Sequence, residues 1–268
     1  MPVPLSFSKY SEKALFEPEN FLSYIRSNQL LPDTIRAPQC VILSYQRSLF
    51  DYVVNNHTVT APEGYFKNHL RYLDETDGTI AIAGHFGIGA PAAAIMLEEL
   101  IAFGVKEFIS IGTAGALVKE LHPGELVICT GAFRDEGTSY HYVPGGAPAL
   151  PDEQLTNMLI EQCTQNQIPF HKGLTWTTDA IYRETKQEVA DRSAKGALVV
   201  EMEASALFTV ARYRKCPLAA CFTISDSLAE PEWKPEFLSE QTSIGLETLF
   251  RTACKAFEAY NAIKNNDL

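Results

Sequence analysis

Two carboxylates separated by one residue, Glu201 and Glu203 in VVEMEASALF (Val199–Phe208), stand where an apolar run passes into a helical pattern. One acid at such a junction is explained by the positive end of a helix dipole. Two acids around Met202, after a wholly apolar run, leave one for other work. A carboxylate held there can accept hydrogen bonds from a pair of sugar hydroxyls. Asp226 ends a second very apolar run, FTISDSL (Phe222–Leu228). The LAEPEWKPE that follows is broken by two prolines, so a simple helix-capping role explains this acid poorly. An acid drawn out of water there is suited to giving a proton to a leaving group.

Two glycine-rich turns carry weaker signals. GHFGIGAP (Gly84–Pro91) lies between a strand-like run and a helix. Its glycines let backbone approach a ligand, and the helix N-terminus favours an anion. A dinucleotide site needs G-x-G-x-x-G and an acid ending the next strand. The spacing here is G-x-x-G-x-G and the next strand ends in Ile111-Gly112-Thr113, which argues against it; a tight turn with no ligand is the plain alternative. IGTAGAL (Ile111–Leu117) flanks the Thr113 hydroxyl with glycines at a strand end, a shape that offers amides and one hydroxyl to an oxyanion.

Positioning such groups takes a frame of strands. CVILS (Cys40–Ser44), TIAIAG (Thr79–Gly84), EFISIG (Glu107–Gly112), ELVICT (Glu125–Thr130), ALVVEME (Ala197–Glu203) and PLAACFTISD (Pro217–Asp226) read as strands. Without polar alternation they belong to a sheet covered on both faces. RSLFDYVVNN and PAAAIMLEELIAFG have helical spacing, the latter with Pro91 in its first turn and Gly104 as its stop. Apolar positions from Ile244 to Ile263 predict a closing amphipathic helix over Ser243–Lys264. The expectation is a polar N-terminal arm over residues 1–35 and one α/β domain over 36–268. In such folds ligands bind beyond the carboxyl ends of strands.

Composition narrows the function classes. At 268 residues the chain buries roughly three quarters of its unfolded surface on folding, so a large core needs no staples. A net charge of −11 with scattered Lys and Arg argues against nucleic-acid or anionic-membrane partners. The six cysteines contain no C-x-x-C pair, and Cys40, Cys129 and Cys221 lie in apolar runs. That pattern predicts buried thiols rather than a disulfide framework or a metal site. The first residues are too polar for a signal peptide, and the longest apolar stretch, around Pro91–Leu97, is too short for a membrane span. A cytoplasmic protein is expected.

These pieces in this order resemble the nucleoside phosphorylase family, which includes purine nucleoside phosphorylase, uridine phosphorylase and methylthioadenosine nucleosidase. The resemblance runs from about Val41 to Leu228. VVEMEASALFTVA with FTISDSL carries it most specifically, then GHFGIGAPAAAIMLEELIAFGVKEFISIGTAGAL, then TTDAIYRE. It implies a mixed central sheet flanked by helices. Glu203, with Glu201 beside it, looks like the ribose-binding glutamate, Met202 packs under the sugar and Phe86 touches it. Ile181, Tyr182 and Ser225 fall at the base pocket. Thr113, with Gly112, looks like the contact to the nucleophilic anion, and Asp226 matches the acid that purine-cleaving members place at N7. The family's sites are often completed by a neighbouring subunit, which implies a homodimer or a hexamer of dimers. No metal or organic cofactor is implied; inorganic phosphate is the co-substrate.

The departures from the family concern the nucleophile. Phosphorolytic members carry a G-D-P-x-R turn after the first strand, where this chain has SYQRSL, with Tyr45 for the glycine and Leu49 near the arginine. The arginine two residues before the G-[ST]-x-G loop is Ser110, and VVNNHTVTAPEGY offers no counterpart to the neighbouring-subunit arginine. Each missing guanidinium removes a bidentate phosphate contact. Arg47 is the nearest substitute, against the plain reading of a solvated helix residue. The Gln and Arg of uridine phosphorylases are absent from YRETKQEVADR, and Asp226 points toward purines. Arg183 and Lys234 are possible cationic helpers of the acid; Arg134, Asp135 and His141 read as mouth or subunit-contact residues. The sequence thus places purine nucleoside phosphorolysis first. Hydrolysis comes next, though SYQRSLFDY offers only Asp51 to activate a water. A nucleoside-binding protein without turnover comes third.

Overall fold

In the computed structural model, which describes residues 6–230 and 232–266, the apolar runs become the strands of one ten-stranded sheet. In chain order these are β1 (Cys40–Ser44), β2 (Val59–Thr60), β3 (Leu70–Leu73), β4 (Ile80–Ala83), β5 (Glu107–Ala116), β6 (Leu126–Asp135), β7 (His171–Thr178), β8 (Ala197–Glu201), β9 (Leu218–Ser227) and β10 (Lys234–Pro235). Around them lie α1 (Pro18–Ser27), α2 (Arg47–Asn56), α3 (Ala90–Phe103), α4 (Glu153–Gln165), α5 (Lys186–Ala194), α6 (Ala204–Arg214) and α7 (Glu240–Asn266). The sheet is mixed and helix-covered, as the sequence predicts.

Its order is β10-β9-β6-β7-β8-β5-β1-β4-β3-β2, with an additional β5–β9 pairing. That pairing closes β5, β9, β6, β7 and β8 into a ring, so the molecule holds a five-stranded barrel with β1, β4, β3 and β2 extending from its seam. Strands β1, β4, β5 and β9 are mutually parallel, while β8 runs antiparallel to β5. The β5–β8 overlap covers only Gly115↔Val200 and Ala116↔Val199. The carboxyl ends of two opposed strands therefore meet at one place.

Strand β5 runs ten residues, through the glycine-rich stretch whose composition suggests a loop. Small residues there make room for neighbours. A Cβ at Gly112 would lie 3.3 Å from Tyr45 Cδ2, and one at Gly115 would lie 2.7 Å from Leu228 Cδ1 and 3.2 Å from Asp226 Oδ2. Strand β7 has no counterpart among the sequence-read strands, because its first half is polar and exposed.

Two apolar layers flank the sheet. On one side α3 and α6 pack together over Val41, Phe108 and Phe222. On the other, α7 lays Leu246, Leu249, Phe250, Ala253, Phe257 and Tyr260 against α4 and the opposite strand faces. Ile244 and Ile263 lie outside that stripe and are exposed. The expected arm over residues 1–35 includes α1, which rests on α3 and buries Leu22 and Ile25 in the same core. Cys40, Cys129 and Cys221 are fully buried and unpaired. Among the described residues no helix is long and apolar enough to cross a membrane.

Candidate active site

Where the carboxyl ends of β1, β5, β8 and β9 converge, they enclose a cavity of about 390 Å³. Tyr45 and Gln46 follow β1, Thr113 to Gly115 come from β5, Val200 to Glu203 close β8, and Ser225 and Asp226 end β9. The turn after β7 adds Ile181, Tyr182 and Glu184, and the chain beyond β9 returns with Trp233 and Phe237. Of the sequence-predicted site residues, Asp226, Ser225, Glu201, Met202, Glu203, Thr113, Ile181 and Tyr182 line this one space. Phe86, Gly112 and Arg47 do not.

At the β8 end the two glutamates divide their work. Glu201 is saturated: its Oε1 accepts from the Thr177 and Thr175 hydroxyls at 2.5 and 3.2 Å, and its Oε2 from the Glu203 and Ala204 amides, both at 2.7 Å. It fastens β8 to β7 and satisfies the first amides of α6, whose N-terminus would otherwise be left unpaired. Glu201, expected to bind substrate, thus lines the cavity with both oxygens engaged by the protein, and through its bond to the Glu203 amide it positions Glu203. Glu203 accepts from the Gly89 amide at 2.6 Å. Gly89 is the N-cap of α3 at φ 90°, a conformation that favours glycine. The helix N-terminus read as an anion site thus receives the protein's own carboxylate. Burial, then the charge of Glu201, pushes the Glu203 carboxyl well above the usual carboxylate range. Met202 Cε lies close to Gly89.

The β9 end depends on a bulge. Ala114 pairs with Ile224 and Gly115 with Asp226, leaving Ser225 unpaired between them. Neighbouring strand residues ordinarily face opposite sides; a bulge re-aims the chain so that both Ser225 and Asp226 face the cavity. Ser225 Oγ donates to Asp226 Oδ1 and Trp233 Nε1 donates to Oδ2, each at 2.8 Å. The proline-broken segment after β9 is a strap: Lys234 and Pro235 pair antiparallel with Ser227 and Asp226, and the Glu236 amide donates to the Ser225 carbonyl at 2.7 Å. Lys234 is exposed and Arg183 lies outside the cavity, so neither assists the acid. Trp233 does, as a neutral donor. Glu184, half-buried, lines the same cavity, and none of the described residues hydrogen-bonds it; burial first, then the charges of Asp226 and Glu188, pushes its carboxyl up to about 7.

The β1 end is occupied by an aromatic ring. Tyr45 lies against Gly112 and shares a 3.0 Å hydrogen bond with Ser110, so the tyrosine and serine that replace the family's glycine and arginine touch each other. Phe86 stands edge-on to Tyr45 with ring centroids 5.5 Å apart, behind the cavity wall rather than in it. Gln46 Nε2 donates to Thr113 Oγ1 at 2.7 Å. Arg47 is turned outward, its side chain 83% exposed and 3.4 Å from Asp51. Arg47, the expected phosphate ligand, therefore stands outside the cavity, because the first turn of α2 points it to solvent and leaves Gln46 facing Thr113.

Among the described residues the cavity lining contains Glu184, Glu201, Glu203 and Asp226 and no Lys, Arg or His. Arg134, Asp135 and His141 lie elsewhere, bonded to Ser139, Trp176 and Lys9 respectively. Residues that sequence reasoning missed are Gln46, Ile88, Glu184, Leu228, Trp233 and Phe237. The Pro-bracketed LAEPEWKPE was the available signal for Trp233; nothing in the spacing marks Glu184.

The sequence model of the phosphorylase superfamily matches residues 54–258. A guanosine phosphorylase of Halorubrum lacusprofundi is 34% identical over 68% of this chain and 78% of its own length. A uridine phosphorylase of Escherichia coli is 31% identical over 51% of this chain and 59% of its own. Among solved structures, an AMP nucleosidase from Bacteroides thetaiotaomicron superposes with a TM-score of 0.72, covering 92% of this chain and 97% of its own at 22% identity, a likeness of fold.

Proposed function

The chain belongs to the phosphorylase superfamily, and from that premise we propose that it cleaves the N-glycosidic bond of a nucleoside, a purine nucleoside by preference, with water as the incoming nucleophile. The observation that carries this reading is a cavity whose lining, among the described residues, has four carboxylates and no cationic side chain. Breaking a ribosyl C–N bond develops positive charge on the sugar. A carboxylate of this lining, when ionised, stabilises that charge, and the lining offers a phosphate dianion no cationic partner.

In the proposed reaction the C1′–N9 electron pair leaves with the base as Asp226 passes a proton to N7. Trp233 can only donate, so Asp226 Oδ2 stays an acceptor and the mobile proton belongs to Oδ1. Ser225 Oγ, now donating to Oδ1, accepts when that oxygen is protonated. Glu203 holds the ribose diol and faces the cationic C1′. A water held by Thr113 and Gln46 adds to C1′, and its proton restores Asp226 through solvent. The products are free base and ribose. No metal or organic cofactor takes part.

Phosphorolysis, which the sequence places first, is the second reading, and the names of the relatives favour it. It needs an arginine from a neighbouring subunit or a reorientation of Arg47. Exposed Ile88 and Tyr182 at the rim support a homo-oligomer, a dimer or a hexamer of dimers. Six unpaired thiols suit a cytoplasmic enzyme.

The test is base release from purine and pyrimidine nucleosides with and without phosphate. Free ribose formed without phosphate supports hydrolysis; ribose 1-phosphate formed only with it supports the second reading. Binding without cleavage under either condition sinks both and leaves a nucleoside-binding protein.

A further inference from the structure

Glu136 is a buried carboxylate that the proposed reaction leaves idle. It stands one residue past β6, 3% exposed and outside the cavity lining. Neutral groups engage both its oxygens: Oε1 accepts from the Ser205 hydroxyl at 2.9 Å, and Oε2 from the Ser139 amide at 2.8 Å. Burying a carboxylate against neutral donors costs stability. Here it secures the first turn of α6, in which Ser205 is the second residue. The Ser205 amide donates to Thr177 Oγ1 at 3.0 Å, while Glu201 takes the Glu203 and Ala204 amides. The first N–H groups of the helix are thus held by β7 and β8. The Ser205 side chain is held by Glu136. The far side of Glu136 is stiff as well, since Arg134 donates to the Ser139 hydroxyl and to the Val143 and Pro144 carbonyls.

We propose that Glu136 is a positioning residue for Glu203. Glu203 is the N-cap of α6, yet its side chain makes no bond to that helix and reaches the Gly89 amide instead. Its direction on the α6 side is therefore set by the backbone of the turn, which Glu136 fixes through Ser205. This rests on the reading of Glu203 as the group that holds a ribose diol. A small rotation of the turn withdraws the carboxyl from the diol and leaves the base contacts in place. The signature is a weaker preference for ribose over 2′-deoxyribose. A merely structural role lowers the amount of folded protein, which affects both sugars equally and leaves their ratio unchanged.

The experiment compares inosine with 2′-deoxyinosine in the wild type, Glu136→Ala, Glu136→Gln, Ser205→Ala, Glu203→Ala and the Glu136→Ala/Glu203→Ala pair. It reads the ratio of kcat/KM for the two substrates or, where there is no turnover, the ratio of Kd by calorimetry. The wild type should favour inosine by about tenfold, the worth of one hydrogen bond to a carboxyl. Glu136→Ala should cut that ratio by about threefold to tenfold, as for residues coupled in one hydrogen-bond network. Ser205→Ala, which removes a single oxygen, should do the same. Glu136→Gln should restore most of the ratio, because its amide can accept from Ser139 and donate to the Ser205 hydroxyl. In the Glu203→Ala background, Glu136→Ala should lower the ratio no further. A wild-type ratio kept by both Glu136→Ala and Ser205→Ala, or an equal fall in the Glu203→Ala background, overturns the assignment. Cleavage with the ratio untouched defeats this inference and spares the catalytic reading. Ribose-selective binding that weakens in Glu136→Ala, with no cleavage, does the reverse.

Discussion

The β8 and β1 ends of the cavity are built in opposite ways. At β8 a carboxylate is imported at a cost: Glu203 is buried and supported by a helix N-terminus on one side and a fully bonded Glu201 on the other. At β1, where the sequence resemblance leads one to expect arginines, the chain has filled space with a neutral ring, and Tyr45 and Ser110 satisfy each other. Burial, with Glu203 as the next cause, pushes the Tyr45 phenol well above its ordinary range and keeps it neutral. In the proposed reaction a site of this kind stabilises a cationic sugar and takes an uncharged nucleophile. Several structural choices follow from that asymmetry, including the glycine at 112, which gives the Tyr45 ring its room.

The comparison breaks first if the anionic half is dispensable. Asp226→Asn removes the mobile proton and keeps both hydrogen-bonding neighbours, and should lower kcat by roughly 10²- to 10⁴-fold in a base-release assay. Glu203→Ala should cost roughly 10²- to 10³-fold, as for a preorganised electrostatic contact. Wild-type rates in either variant would remove the catalytic reading. The β1 half is sharpened by reversal. Tyr45→Gly with Ser110→Arg empties the ring's volume and restores a guanidinium, so phosphate should accelerate base release by about tenfold or more. If phosphate already accelerates the wild type and the pair changes nothing, the β1 end is not the nucleophile site.

Much of this asymmetry was legible in the sequence and part of it was not. Glu203 and Asp226 stood out because apolar strands rarely end in acids, and the missing arginines were visible by position. That Tyr45 and Ser110 compensate each other required the register that sets β1 beside β5, with Leu43 opposite Ser110. Glu201 looked equivalent to Glu203, and only the donors from β7 separate them. The bulge at Ser225 arises from a slip between two strands far apart in the chain, which no local pattern encodes. Arg47 was misplaced for a simpler reason: the first turn of α2 decides which of two adjacent residues faces inward.

Trp233 belongs to the anionic half, since the strap that carries it pairs with the end of β9. Replacing it with Phe keeps the ring and removes the donor to Asp226 Oδ2. The expected result is a loss of about tenfold in kcat with little change in KM. A change confined to KM would make Trp233 a lid over the base and nothing more. Only Trp176 accompanies it in the chain, fully buried beneath Arg192 and bonded to Asp135, so ligand-dependent fluorescence reports mainly on Trp233.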